Sequence, residues 1–328
     1  MARKTEKAKP KMVHSNAPPA ALTGGRMERL MDEVHTLLSE REFESIDEMN
    51  AFLREQLKDG TLKASSTLNQ PTRTDPRRQA QELCWDAGEA PSDAAARRLY
   101  KQALDLDPDC ADALVFESRE ARTAEQAITL LERAVRTAAE RLGGAAFFNK
   151  NKGHFWMIQE TRPYMRARAA LAEVCSLDGR MLDCVSHYEE MLDLCPNDNQ
   201  GVRYFLIGCY LRMGEMHRAG QLLARYQNDG SSVFLYANVL MLVMSNSHEK
   251  AKRVLKKARA ANGYVYEFLA GLAKNPPRVS AVYTAGDESE AAFCVECLLD
   301  AFMHNPDAIV WMHDQAKGGG KRGPSLVV

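Results

Sequence analysis

The sequence predicts an all-α fold, a row of antiparallel helix pairs stacked one on the next. Three observations lead there. Between Met165 and Tyr226 a helix–turn–helix grammar occurs twice: Leu171, Ala172, a turn at Gly179, then Cys184, Tyr188 and Met191; and Leu206, Tyr210, a turn at Gly214, then Ala219, Leu223 and Tyr226. A small residue, a large one four later and an apolar one three beyond that lay a single stripe along a helix. The small residue recurs at Ala96, Ala127, Cys184, Ala219 and Ala251, with gaps of 31, 57, 35 and 32 residues. The units are also punctuated: glycine supplies the positive φ of a tight connection, and Pro108 and Pro196 push the residue before them out of helical geometry.

A period of about 34 residues is that of tetratricopeptide repeats, and over roughly residues 76–262 the chain resembles a tetratricopeptide-repeat protein. The resemblance implies an α-solenoid, with about twenty extra residues inserted in the 57-residue gap. Leu83, Ala87, Ala96, Tyr100 and Ala103 match the first unit, Leu114, Ala127, Leu131 and Ala134 the second, and Ala251, Leu255 and Ala258 the last. The recurring small residues are expected to be buried where two helices approach closely.

Taken from the amino terminus, residues 1–21 read as a disordered basic tail, because lysines and prolines occur there without a periodic apolar set. A helical hairpin is expected over 22–60. Met27, Leu30, Met31, Val34, Leu37 and Leu38 form its first stripe, and Ser45 with Glu48 has the form of a capping box before Met49, Phe52, Leu53 and Leu57. So small a hairpin cannot bury a core alone, so it docks on the repeats or meets a partner. Residues 61–75 read as a linker, 76–315 as the repeat domain and 316–328 as a second disordered tail.

The net charge is −1, but the first twelve residues carry +4 and the last thirteen +3, leaving −8 on the body. An acidic body argues against a nucleic-acid clamp. No apolar run follows the basic start, as a secretory signal requires. The most apolar stretch, 233–244, is too short for a membrane span. Eight cysteines scattered among the stripes suit a reducing cytoplasm. Cys294 and Cys297 form the one CxxC; a structural zinc site needs four ligands, so no metal and no other cofactor is expected.

The insertion at 143–163 holds Phe147, Phe148, Phe155 and Trp156, too many aromatics for a free loop, so it is expected to pack back on the repeats. Pro163 suits the first turn of the next helix, with Thr161 or a neighbour as its cap. The segments 103–114 with 123–127, and 262–269 with 286–293, resemble the soluble region of the suppressor of tumorigenicity 7 protein family. That family adds membrane-spanning helices that this sequence does not show. The resemblance implies a helical fold and no reaction.

In a solenoid, first-helix residues off the packing stripe line the concave wall. These are Arg78, Gln81 and Trp85, then Asp112, Phe116 and Arg119, then Arg166 and Glu173, then Tyr204 and Arg212, and Tyr236. Arginines that grip carboxylates with two donors, together with flat rings, suit peptide recognition. Arg78, Trp85, Phe116, Arg119, Arg166, Tyr204 and Tyr236 are therefore the expected contacts, for a peptide or protein partner bearing acidic groups. The function read from the sequence is a non-enzymatic scaffold or adaptor, with no catalytic residues. An enzyme or metal-dependent hydrolase would have to use His154, His187 or the pair Cys294 and Cys297. A regulator of nucleic acid would use the basic tails, but nucleic acid is not the expected partner.

Overall fold

The computed structural model describes residues 25–39, 41–58, 75–273 and 283–317. The tails predicted at 1–21 and 316–328 and the linker at 61–75 lie wholly or almost wholly outside these. Among the described residues there is no strand, and sixteen α-helices follow one another. They are α1 (Gly25–Ser39), α2 (Ile46–Lys58), α3 (Pro76–Gly88), α4 (Asp93–Leu106), α5 (Ala111–Arg119), α6 (Ala124–Arg141), α7 (Gly144–Asn151), α8 (Arg162–Leu177) and α9 (Met181–Leu194), then α10 (Val202–Arg212), α11 (Met216–Arg225), α12 (Ser232–Met244), α13 (His248–Ala261), α14 (Gly263–Leu269), α15 (Glu288–Met303) and α16 (Pro306–Lys317). Two 3₁₀ turns, Phe155–Met157 and Gln159–Thr161, lie between α7 and α8.

Local chemistry starts these helices. Ser92, Thr123 and Ser231 accept a hydrogen bond from the third backbone N–H beyond them, and Asp75 and Asp287 cap α3 and α15 through their carboxylates; each satisfies donors that the first turn leaves unpaired. The capping box expected before α2 forms in a shifted version: Ser45 Oγ accepts from the Glu48 N–H, while the Glu48 carboxylate accepts from the N–H of Glu44, one residue before the cap.

The helix ends repeat one turn. Gly179, Gly214 and Asn246 all have positive φ, at 80°, 73° and 54°. The N–H groups of Arg180, Glu215 and Ser247 each reach back five residues, at 2.8 Å, to the carbonyls of Cys175, Tyr210 and Leu242. This is the 6→1 bond of a Schellman closure. Asparagine tolerates the left-handed region better than most residues, which is why one of the three turns does without glycine.

Consecutive helices pack against one another, most extensively α3 with α4, α5 with α6, α6 with α8, α8 with α9 and α12 with α13. Helices α3, α5 and α8 also touch in succession, as do α10 and α12. Ala127, Cys184, Ala219 and Ala251 are fully buried, but Ala96 is only half-buried. It lies in α4, at the end of the row, and there Ala103 and Tyr100 form the buried face instead.

The insertion packs back. Phe155 is fully buried, with Phe148 edge-on at 4.8 Å and Phe147 and Tyr164 at 6.1 Å. Pro163 lies in the first turn of α8. Thr161 does not cap that helix; its hydroxyl turns back to the carbonyls of Phe155 and Ile158.

Some helices also pack on others far from them in sequence. α15 lies against α10, α12 and α14, and α1 lies against α3 and the second 3₁₀ turn. α2 buries none of its residues.

Candidate functional site

The site under α1 is built from α3, α5 and α8. The residues that α1 turns toward them are Gly25, Glu28, Arg29 and Asp32, spaced i, i+3, i+4, i+7, so the helix docks through a polar stripe. Its apolar stripe is less engaged: Met27 is 51% exposed and Met31 43%, and Leu30, Val34, Leu37 and Leu38 are half-buried. Glu28 is 2% exposed. Its Oε1 accepts from Arg166 Nη1 at 2.6 Å and its Oε2 from Trp85 Nε1 at 2.9 Å, while Arg162 Nη1 stands 3.7 Å away. Gln159 donates to the Glu28 backbone carbonyl at 2.6 Å.

Beneath it, Arg166 grips Asp112 with two donors, Nε at 2.7 Å and Nη2 at 2.5 Å, and Gln81 donates to Asp112 Oδ2 at 2.7 Å. Burial alone would lower the pKa of Arg166. The Asp112 carboxylate and then that of Glu28 outweigh burial and move it up, so the guanidinium stays charged. At the rim, Arg78 Nη1 donates to Asp32 at 3.0 Å and Arg29 to Asp86 at 2.6 Å. A cavity of about 560 Å³ opens beside the cluster, against Asp75, Arg77, Arg78, Gln159 and Pro163.

These contacts revise the expected peptide-binding set. Arg166, 3% exposed, is not an open anchor, because Glu28 and Asp112 already surround it. Trp85, 5% exposed, is spent on Glu28. Tyr236 is a core residue, fully buried, with its hydroxyl donating to the Asn262 carbonyl at 2.7 Å. Phe116 is half-buried and stacks on Tyr100 at 4.2 Å. Tyr204 is half-buried, donates to Asp229 at 3.0 Å and meets Phe234 and Phe293 edge-on. Arg119 is exposed at the end of α5. Arg78, Trp85 and Arg166 come together under α1, whereas Tyr204 and Tyr236 lie among α10, α12 and the helices packed on them.

A second concavity of about 290 Å³ lies between α8, α9, α10 and α15, with Leu177, Met181, Phe205 and Leu299 among its apolar walls and Arg212 paired to Asp300 at 2.8 Å on its edge. α15 closes this side at very short range: a β-carbon on Gly208 would collide with the Cys297 carbonyl oxygen.

The residues an enzyme would need are dispersed. His154 is exposed in the inserted segment, and His187 lies on α9, where burial and then Arg168 lower its pKa. Cys294 and Cys297 are buried on α15, and burial pushes both thiols well up. Among the described residues, no three His, Cys, Asp or Glu side chains are grouped to share a metal ion. No described helix is long and apolar enough to cross a membrane.

The periodic reading missed Glu28, which is one residue off the apolar stripe of its helix and 138 positions from Arg166. The signal available was the spacing of Gly25, Glu28, Arg29 and Asp32, a polar stripe at helical period. No family model matches the chain, and no curated protein matches it.

Proposed function

We propose that the protein is a non-enzymatic helical-repeat scaffold, a tetratricopeptide-like solenoid that holds a segment of a partner protein on the wall formed by the first helix of each pair. Support for the solenoid comes from the shared turn after α8, α10 and α12 and from the succession of contacts among α3, α5 and α8. Repeats joined by nearest-neighbour interfaces form such extended walls. The observation that carries the functional reading is the seating of α1 across that wall, where side chains of α3 and α8 engage one helix from outside the row and Asp112 of α5, between them, braces Arg166. The cleft beside α15 is one open part of that wall. Eight free thiols, with Cys84–Cys110 and Cys184–Cys209 sulfurs at 3.5 and 3.7 Å and unbonded, fit a reducing cytoplasmic setting.

The test is site-specific photocrosslinking in the native cell. A photoreactive residue replaces Leu299, which is 40% exposed in the cleft, or Lys101, exposed on α4. A discrete protein adduct at Leu299 that is missing at Lys101 supports the reading. The same products at both positions, or none at either, overturn it.

A further inference from the structure

We infer that the seat of α1 is an exchangeable receptor for an acidic helix, and that the partner it fits is a helical segment carrying a glutamate with an aspartate four residues later. This rests on the scaffold reading and specifies its partner. Both arginines of the receptor are also held from outside α1: Asp112 holds Arg166 through two hydrogen bonds, and the Glu82 carboxylate accepts from Arg78 Nε at 3.3 Å. The same helix, α3, supplies the indole of Trp85. Glu28 and Asp32 are the ligand atoms now in place, one helical turn apart, as the two donors at Arg166 and Arg78 require.

Three features make this seat exchangeable rather than core. Among the described residues of α1 only Gly25 and Glu28 are buried, so no fully buried apolar side chain holds the helix down. No apolar residue of its stripe is buried: Met27 and Met31 are exposed and Leu30, Val34, Leu37 and Leu38 half-buried, although Met31 Sδ meets Arg162 Nη2 at 3.5 Å. The following helix, α2, adds no buried residue. A helix held by charge-assisted contacts is replaced by any segment that presents the same carboxylates and wins against the effective concentration of a helix in the same chain, on the order of millimolar.

The test keeps the full chain and uses as probe a fluorescein-labelled synthetic peptide with the sequence of residues 25–39, followed by fluorescence anisotropy. Gly25→Val drives α1 off sterically, since a β-carbon there would meet the Trp85 carbonyl, and it leaves every receptor atom intact. Arg29→Glu with Asp32→Lys removes α1 by a different route, reversing the pairs with Asp86 and Arg78. The expected result is peptide binding tighter than in wild type by on the order of tenfold or more in at least one of these chains, because the tethered competitor is gone. A peptide with Glu28→Gln should bind on the order of tenfold more weakly than the parent. Equal affinity for wild type and both loosened chains, with helical circular dichroism retained, overturns the proposal. So does equal binding of the glutamine peptide. Either result beside a specific Leu299 adduct would leave the scaffold reading standing and remove only this receptor.

Discussion

Gly208 of α10 and Cys297 of α15 touch backbone to backbone, so closely that a methyl group at 208 has no room. Replacing that hydrogen forces the two helices apart. Gly208→Ala is expected to cost about 1–3 kcal/mol, as overpacking of a dense interface does, although alanine is the better helix former. A lower urea midpoint measures it; an unchanged or higher one shows that α15 does not press on α10.

Removing the central charge of the α1 seat leaves two buried carboxylates facing each other. Arg166→Met is expected to destabilise the chain by about 3–5 kcal/mol. Arg166→Lys should rescue little, because an ammonium cannot make the two-donor fork to Asp112. Chemical denaturation of both variants checks this; full rescue by lysine would show that charge alone matters.

Glu290 gives the chain an acid-sensitive contact. Burial works against its charge, but Asn262 Nδ2, the Gly286 N–H and the Ser232 N–H donate to it and lower its pKa below the ordinary value. The unfolded chain therefore takes up this proton first as pH falls. The contact's stabilisation is present above about pH 4.5 and is lost as pH drops through the folded value. Thermal melts from pH 6 to 3 should show a shallower acid loss in Glu290→Gln than in wild type; parallel curves would count against it.

The thiols are expected to be inert in the folded state. All eight cysteines are buried, and burial pushes Cys175 up to about 11 and raises Cys294 and Cys297 well above the ordinary thiol value. Thiolates, not thiols, react. An aromatic disulfide reagent at pH 8 should therefore label them at the rate of unfolding, and all of them promptly in denaturant. Prompt labelling of Cys297 in the native chain would show that α15 opens.

The periodic parts of the chain were legible in the sequence for a physical reason: a stripe at helical spacing, closed by a glycine, is local information. It located α8 to α11 and the turns at Gly179 and Gly214. The turn at Asn246 carries the same bond but no glycine, and was not read as one. The roles of Arg166, Trp85 and Tyr236 were not legible. A helix residue off the apolar stripe is exposed only if nothing lies on it, and what lies on it here comes from α1 and α15, distant in sequence. Periodicity reports which face of a helix is apolar; it cannot report that α1 docks by the other one.

The placement of those two added helices bears on how the chain comes apart. A row of neighbours held only to one another frays from its ends, each lost pair exposing the next. Here α1 reaches from residue 28 to residue 166, and α15 returns from residue 297 to the backbone of residue 208. Such distant closures are made late and broken early or not at all, since bringing remote segments together costs loop entropy before any contact rewards it. Fraying at either end must first undo a buried charge cluster or a tight helix crossing. Hydrogen exchange should therefore show the terminal pair α3–α4 opening only after α1 has lifted, and the stack melting inward from whichever clasp yields first.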